Sequence, residues 1–269
     1  VKHGLTGLKV LITRPRERAD ELCQSLASQG AAVAHHPLLV IDPLDPRRDS
    51  ALLQRNRQLA LELDRYQRIV CVSVTAVEHG LDWLENFWPQ WPLQQGWFGV
   101  GVATARALAE RGLPASQPGG AMNSEALLAE PDWQRLDGQR VLIIRGVGGR
   151  NFLAQSLRRR GGEVDFMECY RRRPPAPAEA ARLLAAAEQA HVIGVSSGQS
   201  LAHLEQIWRG AGRDPADLKA TLLLPGDRVA ELARRAGFFR LQVAANASTA
   251  ATVAALQQWW PREQGREEQ

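Results

Sequence analysis

Cysteine, tyrosine, methionine and lysine are scarce in this sequence of 269 residues: three, two, two and three copies. Cys23, Cys71 and Cys169 are odd in number, far apart and without CxxC spacing. That excludes a disulfide framework or a cysteine zinc site and fits a reducing compartment. No apolar run is long enough to span a bilayer, and the first residues lack the apolar core of a secretion signal. The expectation is a cytoplasmic protein without a membrane span. Position 1 is Val rather than Met, so the start is expected to be altered or incomplete. No GxxxxGK[ST] occurs. RGVGGR (145–150) is not GxGxxG and has no acidic residue behind it at ribose-binding spacing, so ATP and dinucleotides are not indicated. His3, His35, His36, His79, His191 and His203 show neither HxH nor HxxxH spacing, and the adjacent His35 and His36 would point to opposite faces of a strand. No metal site and no GxSxG nucleophile is indicated. A net charge of only +4 gives no whole-surface field for nucleic acid.

The positive charge is carried almost wholly by arginine, since lysine occurs only at Lys2, Lys9 and Lys219. Arginine pairs bidentately with carboxylate or phosphate, which favours an anionic ligand. A GC-rich coding sequence would produce the same bias.

The chain is organised by a duplication. The stretch 9–41 recurs at 140–172: Arg14 returns as Arg145, Leu22 as Leu153, Leu26 as Leu157, Gly30 as Gly161 and Val33 as Val164, each 131 residues on. CVSVTAVEHGL (71–81) resembles GVSSGQSLAHL (194–204), and VGVATARALAERGL resembles PGDRVAELARRAGF. Such self-similarity predicts two copies of one supersecondary series. Within each copy, short apolar runs alternate with segments of helical period. Examples are KVLIT and RIVCVS among the strands, and 17–29, 48–63, 75–87 and 103–111 among the helices. Strands apolar throughout, alternating with helices, predict parallel sheets covered on both faces. PLLVIDPLDP and RRRPPAPAEAARLL, both proline-bounded, read as crossings between two domains. Asn123 or Ser124 would cap the helix that follows, and the polar tail PREQGREEQ (261–269) is expected to be disordered.

In parallel α/β folds ligands bind beyond the carboxyl ends of the strands, where helix N-termini favour anions. The candidates there are Arg14; Ser73 and Thr75; Gly101 and Thr104; Ser124; Arg145, Gly146 and Arg150; Ser196 and Ser197; and Gly226 and Arg228. Most Ser and Thr at such places are N-caps, so each carries a structural reading beside the functional one. The runs Arg158–Arg160 and Arg171–Arg173 read as solvated surface, with a share in ligand binding the alternative for the second because it lies at a crossing. Tyr66 reads as partial packing. Tyr170 stands where the first copy has Leu39. A phenol there is a wedge or, at neutral pH, an uncharged proton donor.

Together LITRP, CVSVTAV, VGVATARAL, NSEALL, LIIRGVGGRNFLAQSL, ECYRR and PGDRVAELARRAGF resemble the uroporphyrinogen-III synthase family over residues 7–258. The resemblance implies two similar α/β domains, 1–37 with 174–269, and 43–167, joined by linker strands 38–42 and 168–173 with a cleft between. It implies cyclisation of the linear tetrapyrrole hydroxymethylbilane, with ring D inverted and water lost, and no cofactor. Loss of the terminal hydroxyl would give an azafulvene cation and then a spiro intermediate. Tyr170 would protonate or hydrogen-bond the leaving hydroxyl, and Thr104 matches the threonine of the VGxxTA motif. Ser73, Thr75, Ser124, Ser196 and Ser197, with backbone N–H groups, would hold the substrate's eight carboxylates. The second-half counterpart of Thr104 is Val229, beside Arg228, so an arginine would serve there in place of a hydroxyl. The substrate would be handed over by the preceding pathway enzyme, and a monomer is expected. The competing reading is a non-catalytic two-lobed binding or regulatory protein for an anionic small molecule.

Overall fold

A computed structural model describes residues 4–92, 94–116 and 124–267. In chain order it holds β1 (Lys9–Ile12), α1 (Asp20–Ser28), β2 (Ala32–His35), β3 (Val40–Pro43), α2 (Ser50–Leu61), β4 (Arg68–Cys71), α3 (Val74–Leu84), β5 (Gly96–Gly99) and α4 (Val102–Glu110). Next come β6 (Ala115–Ser116), α5 (Ser124–Ala129), β7 (Arg140–Gly146), α6 (Phe152–Arg159), β8 (Glu163–Arg173) and α7 (Pro177–Gln189). The chain finishes with β9 (Val192–Gly194), α8 (Gly198–Gly210), β10 (Thr221–Leu224), α9 (Asp227–Arg235), β11 (Leu241–Val243) and α10 (Thr249–Glu267).

Two compact units result: residues up to Ile41 with those from Arg173, and Asp42–Arg172. The first sheet has the order β11-β10-β9-β1-β2, the second β3-β8-β7-β4-β5-β6. Apart from the edge strand β3, the two orders correspond strand for strand, with β1 matching β7 and β2 matching β8. The pairings from β1 to β2 and from β7 to β8 are parallel, as the duplication requires.

Alternation along the strands builds the first unit's core. Leu11, Ile193, Leu222 and Leu224 point to one face and pack under residues of α7, α8 and α9. Val10, Ile12, Val192 and Leu223 point to the other and meet α1 and α10. Both faces being covered explains why these strands read as continuous apolar runs. In the second unit Val70, Val141, Ile143 and Val164 share a cluster with Leu153 and Leu157 of α6 and with Trp133.

α1 and α6 end alike. Gly30 and Gly161 take φ 91° and 87°, and the next residue, Ala31 or Gly162, bonds back to Leu26 or Leu157. That is a Schellman stop, where a side chain would be strained.

Three expectations change. The stretch 168–173 is not a separate linker: β8 runs unbroken to Arg173, bulged where Gly146 faces Tyr170, because Met167, Cys169 and Tyr170 continue the buried pattern. The polar tail is helical through Glu267. α10 carries Pro261 within it, and the turn before the proline is anchored by buried Trp260, whose Nε1 donates to the Thr6 carbonyl at 3.1 Å. Tyr66 is fully buried; its hydroxyl donates to Asp165 at 2.8 Å and accepts from Arg140 at 3.1 Å. Burial, and then Asp165, push that phenol's pKa up. Asn123 lies outside the described residues.

Candidate active site

The second unit's strands β4, β5, β7 and β8 end in the segments that hold most of the candidates. Ser73 follows β4 and caps α3: its Oγ accepts from the Ala76 N–H at 3.1 Å. Its Oγ also lies 3.2 Å from the Tyr170 hydroxyl. That hydroxyl accepts a 2.8 Å bond from the Arg172 guanidinium. Arg172 and Tyr170 are two apart on one strand and so share a face, and the guanidinium lies 5.4 Å from the ring centroid. The His79 ring packs against the phenol at 5.5 Å. Tyr170 is fully buried.

Gly146 explains how that ring is seated. A Cβ at position 146 would stand 2.5 Å from Cε2 and 2.7 Å from Cζ of Tyr170. Only glycine lets the phenol lie against the β7 backbone, and the bulge at Arg145/Gly146 brings the two residues opposite each other.

Arg145 is close by but turned inward. Its Nε and Nη2 donate to Glu168 at 3.2 and 2.9 Å. Its Nη1 donates to the carbonyls of Gly149 and Arg150 and to Asn151 Oδ1 at 3.1, 3.3 and 3.0 Å. The guanidinium also stacks 3.7 Å from the Phe166 centroid. This buried arginine fixes the shape of the glycine loop and presents no free fork to a ligand. Arg150, at the loop's tip, is exposed. Thr75 and Thr104 are buried within α3 and α4, and Gly101 is the N-cap of α4. Ser124 opens α5.

The first unit places its candidates at the ends of β1, β9 and β10. Arg14 there holds the start of α10: it donates at 2.8 Å to the Ala247 carbonyl and at 2.8 Å to Thr252 Oγ1. Ser197 caps α8, accepting from the Ser200 N–H at 3.1 Å. Its backbone angles, φ −162° and ψ 162°, match those of Ser73, −163° and 164°. Ser197, not Ser196, is therefore the counterpart of Ser73; the sequence comparison is off by one because both positions are serine. Gly226 caps α9, whose first turn carries Asp227 and the exposed Arg228, and Val229 is buried.

The arginine runs are not idle surface. Arg158 donates to the Val164 carbonyl, and Arg160 to those of Leu128 and Trp133. Arg171 forms an ion pair with Asp49 at 2.6 Å and holds its carboxyl down to about 2, with the Asp45 and Arg48 N–H groups assisting. Glu168 was missed as a site residue, and Arg172 was weighed only as part of the run Arg171–Arg173. The i, i+2 spacing from Tyr170 was the available signal for Arg172. Burial pushes the Cys169 thiol up to about 12, which leaves it neutral and unsuited to act as a nucleophile.

Residues 10–254 match the family described as Uroporphyrinogen-III synthase HemD. The uroporphyrinogen-III synthase of Escherichia coli (strain K12) is 33% identical over 254 residues, covering 93% of this chain and 100% of that one. The chain belongs to the uroporphyrinogen-III synthase family. The synthase of Salmonella typhimurium (strain LT2) is likewise 33% identical, over 259 residues, covering 93% and 100%. Solved synthases share the fold. One from the extremely thermophilic bacterium Thermus thermophilus superposes with a TM-score of 0.61 at 18% identity, covering 96% of this chain and 100% of that one. One from Helicobacter pylori 26695 gives 0.59 at 12%, covering 93% and 99%. Among the described residues, no group of three or more His, Cys, Asp or Glu could hold a metal ion, and no helix is long and apolar enough to cross a membrane.

Proposed function

We propose that this chain cyclises hydroxymethylbilane to uroporphyrinogen III, inverting ring D and releasing water. The carrying observation is the Arg172–Tyr170–Ser73 chain. Arg172 can only donate, so the phenol oxygen accepts and its own proton is left to give. Ser73 Oγ, 3.2 Å away, is an acceptor within its reach. With substrate present the proton goes to the terminal hydroxyl, which leaves as water. The resulting azafulvene cation is attacked within the same molecule to give the spiro intermediate. Favouring that path over simple head-to-tail closure is a matter of holding the chain folded, which binding geometry supplies.

Substrate carboxylates fall to the capped starts of α3 and α4, whose leading N–H groups have no helical acceptor. Arg150, exposed in the same unit, supplies charge. Thr104 acts by seating the first turn of α4. Arg14 and Arg145 serve as internal ties of their loops and bind no carboxylate. The reaction is a dehydration and ring closure without net redox change, so a cofactor-free mechanism is part of the proposal. So are action as a monomer and receipt of substrate from the enzyme that makes it.

The test supplies freshly made hydroxymethylbilane and separates the uroporphyrinogen isomers. Isomer III is expected at a rate far above spontaneous closure. Isomer I alone, at the spontaneous rate, contradicts the proposal and leaves the non-catalytic binder.

A further inference from the structure

The phenol of Tyr170 is held by more than its own strand. Gly146 of β7 admits the ring, and Arg172 and Ser73 lie on the hydroxyl. The ring of His79, on α3, lies against the phenol ring, with centroids 5.5 Å apart and planes tilted by 31°. The mechanism above gives His79 no role.

The next residue explains how α3 comes so close. Gly80 is buried, and a Cβ there would stand 2.4 Å from Cγ2 of Ile144 and 3.7 Å from Sγ of Cys169. Ile144 is fully buried on β7, and a β-branched side chain is stiff at χ1. Glycine at 80 therefore lets α3 lie down on β7, and position 79 then meets Tyr170 on the neighbouring β8.

The duplication supplies a second observation. Ser73 and Ser197 are matching caps, and the sixth residue beyond each is a histidine, His79 or His203. His203 Nδ1 donates to the Leu38 carbonyl at 2.7 Å, which ties down the residue before Leu39, the counterpart of Tyr170. Both copies thus set a histidine of the same helix position against the same segment. In the first it holds backbone; in the second it meets a ring. We infer that His79 is a positioning residue: its ring is the wall that α3 sets against the phenol, and it keeps the hydroxyl at Arg172 and Ser73. The inference rests on the role given to Tyr170 above. Ring-on-ring contact depends on a flat apolar face rather than on a nitrogen, so phenylalanine can replace this histidine and a small residue cannot.

The chain has only two tyrosines, so carbon-13 labelling of tyrosine rings resolves both by NMR. Tyr66, bonded to Asp165 and Arg140, is the internal control. His79→Ala is expected to speed rotation of the Tyr170 ring about its axis at least about tenfold and leave that of Tyr66 unchanged. It should also lower kcat for isomer III about tenfold, with KM within about twofold. His79→Phe is expected to restore both. Unchanged rotation of Tyr170, an effect on KM alone, or a His79→Phe protein as impaired as His79→Ala overturns the inference. Should His79→Ala fail to fold, His79→Leu, which fills the space without a flat ring, replaces it with the same expected and contrary results. If the parent protein makes isomer I alone, the proposed reaction falls, and the rotation rates by themselves decide whether His79 seats the phenol.

Discussion

The first copy of the repeated unit, β1–α1–β2, has Pro15 and Leu39 at the positions where the second, β7–α6–β8, has Gly146 and Tyr170. These are one difference rather than two. The ring of Tyr170 occupies the space that any Cβ at 146 would enter, so the tyrosine requires the glycine. In the first copy the arginine at the strand end ties down α10; in the second the matching arginine ties down its own glycine loop. The scaffold is thus duplicated and the phenol is not. The copies also differ in charge at the matching helix starts: α9 opens with Asp227, whereas the first turn of α4 carries no acid. A carboxylate ligand is better received at α4, where nothing opposes the helix dipole.

The comparison can be broken most forcefully at Gly146. Gly146→Ala should displace the Tyr170 ring and lower kcat about a hundredfold, the usual effect of misplacing a reacting group by about 1 Å. It should also cost about 1–3 kcal/mol of stability by overpacking. Adding Tyr170→Leu, which imitates the first copy, should recover the melting temperature and not the activity. A fully active Gly146→Ala enzyme would separate the two positions.

The two arginines come next. Arg145→Ala should cost about 2 kcal/mol in denaturant unfolding, as expected when charged hydrogen bonds are lost to a buried loop. Arg14→Ala, with fewer and partly exposed contacts, should cost about 1 kcal/mol. Product affinity should change little in either; a large loss of affinity with unchanged stability would return Arg145 to the binding set.

Arg172→Met tests the phenol's donor. It should lower kcat about tenfold, the equivalent of one hydrogen bond, with KM little changed. A change confined to KM would make Arg172 a carboxylate ligand instead.

The smallest effect concerns acid stability. Asp49 has a folded pKa of about 2, below its ordinary 3.8. Its pairing with Arg171 therefore stabilises the fold above about pH 4 and is lost as pH falls from there toward 2. Asp49→Asn should be less stable than the parent at pH 6, and the two should converge near pH 2. Parallel curves across that range would show that the ion pair contributes nothing.

Much of the architecture was legible because its determinants are local. The continuous apolar runs of β1, β7, β9 and β10 and the glycine stops at Gly30 and Gly161 are written within a few residues of where they act. Partners far apart in sequence were not legible. Tyr66 is buried because Asp165 and Arg140 satisfy its hydroxyl, from 99 and 74 residues away. Arg171, still partly exposed, pairs with the buried Asp49, 122 residues away. Arginine suits a surface, a ligand or a loop carbonyl equally well, so composition could not assign Arg145. The α10 extension was misread because Pro261 and a polar run signal a helix end, while the anchor, Trp260 on Thr6, is tertiary. Tyr170 itself was legible as the place where the copies differ, but its dependence on Gly146 is a steric fact visible only in three dimensions.

Tyr170→Phe, assayed by rapid mixing with fresh hydroxymethylbilane and by product titration, tests the central claim most directly. Removal of a proton donor should slow formation of isomer III about a hundredfold, the lower end of what general acids contribute, while product affinity stays within about twofold. An unchanged rate of isomer III formation would contradict the assignment of the phenol to the chemistry.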